Sequence, residues 1–110
     1  MIKIDSKELQ KLYIGYFGRP GDPSGIKYWL SRLNESLTFR DISCELSRQD
    51  EYVKHIANEK SFEFQINKLY LNLFNRKVDF EGLNFWMKMI DNQGYSISDI
   101  VYDLVFLNNK

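Results

Sequence analysis

Positions 12–30 read LYIGYFGRPGDPSGIKYWL, and positions 69–87 read LYLNLFNRKVDFEGLNFWM. Leu-Tyr, Phe, Arg, Asp, Gly and Trp recur in the same order and at the same spacing, because a shift of 57 positions takes Leu12 to Leu69. One inserted residue then extends the alignment to the end of each copy. Self-similarity over most of a short chain indicates a tandem duplication, so each copy should fold as the same unit.

Apolar residues in each copy recur at helical spacing. In the first helix of each copy they fall at i, i+3, i+4, i+7 and i+8, which forms one continuous face. These residues are Leu9, Leu12, Tyr13, Tyr16 and Phe17 in the first copy and Ile66, Leu69, Tyr70, Leu73 and Phe74 in the second. Since no alternating pattern of useful length indicates a strand, the sequence predicts an all-α fold.

Capping residues mark the starts of the later helices. Asp22 and Asp79 precede the second helix of each copy, where Asp is a good N-cap, and a proline follows Asp22 at the first helical position. Thr38 and Ser96 precede the third helix, each followed three residues later by Asp in the pattern of a capping box. A further short helix is predicted over 52–57, between the copies.

The two copies should share one core. We expect residues 1–110 to form a single all-helical domain of two subrepeats, 6–57 and 61–107, with about three helices each. A subrepeat of this length cannot bury its own tryptophan and aromatic face, so the copies should pack together into one compact domain. A pseudo-twofold and a short solenoid both meet this requirement. The chain is also compatible with the N-terminal part of a longer protein.

Composition excludes several classes of partner. Lys plus Arg and Asp plus Glu number 15 each, and no run of five like charges occurs, so no nucleic-acid partner is expected. No apolar stretch approaches the roughly 20 residues of a transmembrane helix, and the N-terminus lacks the apolar segment of a signal peptide. Cys44 is the sole cysteine, which excludes an internal disulfide and a thiolate zinc site.

Several repeated residues have a structural interpretation. The residues assigned to the core, because they lie within the apolar faces, are Tyr13, Trp29, Tyr70 and Trp86. Gly25 and Gly82 fall in the first turn of a helix, where glycine normally costs about 0.5 to 1 kcal/mol relative to alanine. Close approach of the preceding helix or loop explains both glycines.

Two arginines accompany the capping acids. Arg19 and Arg76 stand three residues before Asp22 and Asp79, so each can pair with the acid or bond carbonyls at the end of the first helix. Binding of a phosphate or a uronate is the alternative. The acids are interpreted as caps and not as calcium ligands, because neither loop has the alternating acids of an EF-hand, and no metal site is predicted.

Tyr28 and Phe85 occupy equivalent positions that point away from the apolar face of their helix. Packing between the subrepeats is the favoured interpretation. An aromatic contact surface for a partner or a sugar is the alternative.

No catalytic constellation is evident in the sequence. Cys44 and His55 are the only thiol and the only imidazole, and no third group is placed to orient them. Neither a phosphate-binding glycine loop nor a His-rich metal motif occurs. We therefore expect a protein that is not an enzyme and that uses no cofactor.

The duplicated pattern resembles a bacterial family of helical tandem repeats of unknown function, roughly LY…LGR.PD..GL.YW. Such repeats recur in S-layer proteins and in RTX or hemolysin-type exported proteins. The matching residues of the first copy are Leu12, Tyr13, Phe17, Gly18, Arg19, Pro20, Asp22, Gly25, Tyr28 and Trp29. The second copy departs from the pattern at Asn75 and Lys77, which replace the glycine and the proline.

The resemblance implies a non-catalytic cell-surface anchoring domain. Similar regions of S-layer proteins hold the lattice to lipopolysaccharide, and such proteins leave the cell by type I secretion without an N-terminal signal peptide. We therefore expect an extracellular location and a bacterial surface polysaccharide or lipopolysaccharide as partner. Because rings stack on pyranose faces and polar side chains bond hydroxyls, the candidate ligand-binding residues are Tyr16, Arg19, Tyr28, Arg76, Phe85 and Tyr95.

The alternative function is a helical protein-protein interaction or oligomerisation module attached to an adhesin or an enzyme. In that case Tyr28 and Phe85 would lie in the contact, and the chain would associate with itself or with another protein.

Overall fold

Helices form most of the chain. The computed structural model describes residues 6–58 and 61–106, without the side chains of Asn34 and His55. The elements are α1 (Ser6–Phe17), α2 (Pro23–Glu35), α3 (Phe39–Ser47), α4 (Asp50–Tyr52), a π-helical segment (Val53–Ala57), α5 (Phe62–Phe74), α6 (Phe80–Gln93) and α7 (Ile97–Phe106). These ranges contain no strand, so the all-α prediction is confirmed. None of their helices is long and apolar enough to cross a bilayer.

Each copy contributes three of the longer helices, α1–α3 and α5–α7, as predicted. Between them, the short helix predicted over 52–57 begins two residues earlier, at Asp50, and its second half is π-helical. The Asn58 N–H bonds the Val53 carbonyl at 2.9 Å, which is the wider i→i+5 pattern. The subrepeat bounds stay a prediction, and Leu107 lies outside the described residues.

The first helix of each copy ends on a left-handed residue. Gly18 has a φ of +72°, and its counterpart Asn75 has a φ of 60°. The Gly18 N–H donates to the Ile14 carbonyl at 2.9 Å, and the Asn75 N–H donates to the Leu71 carbonyl at 3.1 Å. Since asparagine tolerates the left-handed region better than most residues, the departure of the second copy from glycine preserves this turn.

Both predicted capping boxes form. In α3, the Thr38 N–H donates to the Asp41 carboxylate at 2.9 Å, and the Asp41 N–H donates to the Thr38 hydroxyl at 3.1 Å. In α7, the Ser96 N–H donates to the Asp99 carboxylate at 3.0 Å, and the Asp99 N–H donates to the Ser96 hydroxyl at 3.3 Å. Each box satisfies two backbone donors at a helix start.

The two aspartates that precede the second helices differ. The Asp79 carboxylate accepts the Gly82 N–H at 2.7 Å, as a cap should. Asp22 holds the N-cap position of α2, but its side chain accepts no hydrogen bond from the helix, so the prediction of a side-chain cap is wrong there. Pro23 already fixes the helical φ at the first position and removes one unpaired donor, so α2 starts without that bond.

The two copies pack through equivalent helices, α1 against α5 and α3 against α7. The side-chain amide of Asn72 donates to the carbonyl of Gly15, its own counterpart, at 3.0 Å. The Phe39 ring at the start of α3 lies with its centroid 3.9 Å from that of Phe106 at the end of α7. Because the start of one helix meets the end of its counterpart, the copies are related by a pseudo-twofold and not by solenoid stacking.

One core joins the copies. The fully buried apolar side chains come from both halves: Leu9, Leu12, Tyr16, Ile42, Leu46, Ile66, Leu69, Ile100 and Val101. Ser43 is buried among them and donates its hydroxyl to the Ser98 carbonyl at 2.9 Å, which links α3 to α7. The radius of gyration, 13.6 Å, is close to the roughly 13 Å expected of one compact unit of this length.

Candidate functional site

The duplicated motif is a packing unit built around a hydrogen bond between tyrosine and tryptophan. The Trp29 indole N–H donates to the Tyr13 hydroxyl at 3.0 Å, and the Trp86 indole N–H donates to the Tyr70 hydroxyl at 2.9 Å. Both tryptophans are buried, as predicted. Helical periodicity does not predict these bonds, although the 16-residue separation of tyrosine and tryptophan in both copies is their sequence signal.

The motif glycines leave room for the same tyrosines and for the loop. A Cβ on Gly25 would lie 3.0 Å from the Tyr13 hydroxyl oxygen, and one on Gly82 would lie 2.9 Å from a Val78 methyl. Both distances are shorter than ordinary contact. The prediction of close approach is therefore confirmed for both positions.

The rings at the equivalent positions Tyr28 and Phe85 are exposed. Each side chain is 53% accessible, and each ring packs edge-on against the tryptophan beside it, at centroid distances of 4.8 and 4.9 Å. The favoured prediction, packing between the subrepeats, is wrong because these rings point outward from the shared core. Both remain available to a ligand or a partner.

Tyr16 is not available to a ligand. Its side chain has no exposed surface, and its hydroxyl donates to the Ser43 carbonyl at 2.8 Å inside the core. Burial raises the pKa of the Tyr16 hydroxyl well above its ordinary value, so the group stays neutral. The prediction of Tyr16 as a sugar-binding residue is wrong, because its place in the apolar face of α1 takes the ring inward.

Tyr95 has an intramolecular partner. Its hydroxyl donates to the Asp103 carboxylate at 2.7 Å, and its ring centroid lies 6.3 Å from that of Trp86. This hydrogen bond to Asp103 raises the pKa of Tyr95. Tyr95 therefore fixes the loop before α7, and the structure does not place it with the other candidate ligand residues.

Arg19 pairs with a residue that the sequence analysis missed. Its guanidinium bonds both Glu51 carboxylate oxygens, at 3.3 and 2.6 Å, and also the Pro20 carbonyl at 3.3 Å. The hydrogen bond to Glu51 raises the pKa of Arg19. The two predicted structural roles are therefore not met: Glu51 replaces Asp22 as the acid, and the carbonyl belongs to Pro20 in the loop after α1 and not to the end of the helix. No local pattern indicates Glu51, since it lies 32 positions along the chain.

The end of α1, the exposed side of α2 and the start of α4 surround a surface depression of about 300 Å³, which we call the Tyr28 depression. Its lining residues are Tyr13, Phe17, Arg19, Tyr28, Trp29, Leu46, Gln49 and Glu51. Of the predicted ligand residues, the depression brings together Arg19 and Tyr28. Its volume is at the lower end of the range for small-molecule sites.

The Tyr28 depression combines apolar rings with polar side chains. The exposed ring of Tyr28 offers a face for stacking, whereas the guanidinium of Arg19 lies over the Phe17 ring, 5.6 Å from its centre. The Gln49 amide and the Arg19–Glu51 pair offer both donors and acceptors. The opposite charges of the pair cancel, so the depression has no strong preference for an anion. A phosphate or a uronate would have to compete with Glu51 for the guanidinium of Arg19.

The second copy presents a different arrangement around its ring. Arg76 donates to the Lys77 carbonyl at 3.5 Å, and its guanidinium carbon lies 5.9 Å from the centre of the Tyr70 ring. The positions equivalent to Gln49 and Glu51 of the Tyr28 depression follow α7 and lie outside the described residues. The mixed aromatic and polar depression is therefore described around Tyr28 alone.

Within residues 6–58 and 61–106, no three His, Cys, Asp or Glu side chains are grouped as a metal ion would require. Cys44 is half-buried on α3. The side chain of His55, the other member of the Cys/His pair considered above, lies outside the described residues.

One comparison with known proteins identifies a family. A family model described as a domain of unknown function (DUF4214) matches residues 44–105, from α3 to α7 and over more than half of the chain. No curated protein and no solved structure matches the chain. The helical family of unknown function indicated by the repeats is thus confirmed: the chain belongs to the DUF4214 family.

Proposed function

We propose that this domain binds carbohydrate without catalysis and anchors its protein to the bacterial cell surface through lipopolysaccharide or another surface polysaccharide. The observation that carries the proposal is the Tyr28 depression, where an exposed ring lies beside the Arg19–Glu51 pair and the Gln49 amide. A pyranose has an apolar face and an edge of hydroxyls, so it needs both kinds of side chain within one small site.

The fixed geometry of the polar groups supports this proposal. The two hydrogen bonds between Arg19 and Glu51 hold both side chains at the rim of the depression, so less conformational entropy is lost when a sugar hydroxyl binds. The edge-on contact with Trp29 likewise holds the Tyr28 ring in place. The location at the cell surface rests on the resemblance of the duplicated motif to the N-terminal regions of S-layer proteins.

Titration calorimetry with the O-polysaccharide of the host bacterium tests the proposal. We expect saturable binding to the domain and, in Tyr28→Ser, an affinity lower by about tenfold, which corresponds to about 1.4 kcal/mol of lost stacking. Phe80→Ser is the matched control, because Phe80 is 76% exposed and does not line the depression. Absence of saturable binding to the intact domain would reject the proposal.

A second candidate function, protein association, is favoured by exposed apolar side chains in the second copy. Those on α5 and α6 are Phe62, Phe64, Leu71, Phe74, Phe80 and Phe85. Exposed apolar surface of this kind is common at protein contacts. Light scattering over a range of concentrations tests this function: a dimer that Phe85→Ser dissociates supports it, and a monomer at every concentration contradicts self-association.

A further inference from the structure

Two further depressions adjoin the Tyr28 depression on the surface of the domain. The middle depression, of about 320 Å³, lies between the end of α1 and α5 and is lined by Phe17, Glu51, Phe64, Lys68 and Asn72, together with the buried Tyr16 and Ile56. The Lys77 depression, of about 520 Å³, lies on the outer side of α5. It is lined by Glu63, Phe64, Asn67, Lys68, Leu71 and Lys77, together with Ser61.

Shared side chains connect the three depressions in a row. Phe17 and Glu51 line both the Tyr28 depression and the middle depression. Phe64 and Lys68 line both the middle depression and the Lys77 depression. The three therefore adjoin in a row that runs from the first copy to the second; we call this row the cleft, and the shared pairs of side chains its ridges.

Rings lie next to polar side chains from the Tyr28 depression as far as Phe64, and beyond Phe64 the Lys77 depression has Leu71 as its apolar side chain. Each ridge carries one ring and one charged group, Phe17 with Glu51 and Phe64 with Lys68. A chain of sugar rings joined through polar linkages presents the same alternation of apolar faces and hydroxyl edges. The repeated pairing of ring and polar group thus matches several consecutive sugar units.

The backbone and the charges of the cleft disfavour other polymers. An extended peptide that binds by adding a strand to a sheet would need an exposed strand edge, and residues 6–58 and 61–106 contain no strand. Arg19, Lys68 and Lys77 face Glu51 and Glu63 in the lining, so opposite charges nearly balance. Such a lining lacks the excess positive charge that binds a polyphosphate.

We propose that the three depressions form one cleft that binds a linear surface glycan along its length, with about one sugar unit or more in each depression. This inference rests on the proposed function and specifies it: the ligand is an internal stretch of an extended, neutral to weakly acidic polysaccharide, and not a single terminal sugar. The Tyr28 depression is one subsite, and the outer side of α5 supplies the most distant one.

Calorimetry with size-fractionated fragments of the O-polysaccharide tests the extended cleft. We expect long fragments to bind the intact domain about tenfold more tightly than fragments that fill one depression. In Leu71→Ser this gain should be lost while the affinity for short fragments stays unchanged, whereas Tyr28→Ser should weaken the binding of both. Leu71 is 40% exposed, so its replacement leaves the core intact.

Phe62→Ser is the matched control, because Phe62 is 42% exposed on the same helix, lies about 200° from Phe64 around its axis and lines none of the depressions. It should bind long fragments as the intact domain does. Equal affinity for short and long fragments, or an unchanged gain in Leu71→Ser, would overturn the extended cleft and leave the Tyr28 site standing. Failure of every fragment to bind would overturn the proposed function as well.

Discussion

At the scale of single residues, the hydroxyl of Tyr70 satisfies a buried indole. Trp86 is 5% exposed, and its only polar group donates to that hydroxyl at 2.9 Å. Removal of the acceptor leaves a buried N–H without a partner, which costs the desolvation of the donor. Loss of this hydrogen bond should therefore destabilise the domain by more than the modest net strength of the bond.

Tyr70→Phe should lower the free energy of unfolding by about 1 to 3 kcal/mol, as measured by urea denaturation. Tyr13→Phe is the matched control, because it removes the equivalent bond to Trp29 in a less buried setting, and it should cost less. If Tyr70→Phe lowers the free energy of unfolding by no more than Tyr13→Phe does, burial of the indole does not set the cost of losing the bond.

The sequence predicts the burial of side chains that follow helical periodicity. It does not predict contacts with residues far away in the sequence. The burial of Trp29 and Trp86 follows from their place in the apolar faces. The outward direction of Tyr28 also follows from helix geometry, yet its repetition in both copies favoured a packing role that the structure excludes. The partner of Arg19 could not be predicted, since Glu51 reaches it only after α1 and α4 are brought together.

At the scale of helices, the capping box of α7 has more partners than that of α3. The Asp99 carboxylate accepts hydrogen bonds from Ser96 and also from the Arg40 guanidinium, at 2.6 Å. Burial alone would raise the pKa of Asp99, but these hydrogen bonds outweigh it and lower the pKa. Because Arg40 belongs to α3, the cap also connects the two copies.

Asp99→Ala should lower the free energy of unfolding at pH 7 by about 1 to 2 kcal/mol. The pKa of Asp99 is lower in the folded than in the unfolded chain, so its contribution is present above about pH 4 and is lost as the pH falls through the folded-state pKa. We expect urea denaturation at pH 7 and pH 3 to give a smaller difference in the free energy of unfolding between Asp99→Ala and the intact domain at the lower pH.

Asp41→Ala is the control for the same experiment, since Asp41 caps α3 without an arginine partner and should cost less at pH 7. If the free energies of unfolding of Asp99→Ala and of the intact domain differ by the same amount at both pH values, the lowered pKa of Asp99 is contradicted.

The sequence predicts both capping boxes, because Ser or Thr followed by Asp three positions later is a local pattern. The π-helical turn after Tyr52 was not predicted, since no local pattern distinguishes it from an α-helical turn.

At the scale of the whole molecule, the two copies should unfold together. The pseudo-twofold pairs α1 with α5 and α3 with α7, so neither copy keeps a core when the other unfolds. The duplication predicted shared packing but left its symmetry open, because both a solenoid and a pseudo-twofold bury the same faces. Contacts between helices that are distant in the sequence, such as that of Phe39 with Phe106, distinguish the pseudo-twofold from the solenoid.

Trp86→Phe and Trp29→Phe each leave one tryptophan as a reporter of one copy. Each variant will be less stable than the intact domain, but within each the fluorescence midpoint in urea should coincide with the midpoint from circular dichroism, since unfolding is a single cooperative transition. A fluorescence transition that precedes the loss of helix in either variant would contradict the shared core.

The same two variants locate the glycan site. Trp29 lines the Tyr28 depression, whereas Trp86 lines none of the three depressions. Titration of each folded variant with the O-polysaccharide should change the fluorescence of Trp86→Phe, in which Trp29 remains, and leave that of Trp29→Phe unchanged even where calorimetry detects binding. A change in Trp86 fluorescence with no change in Trp29 fluorescence would contradict a glycan site in the Tyr28 depression.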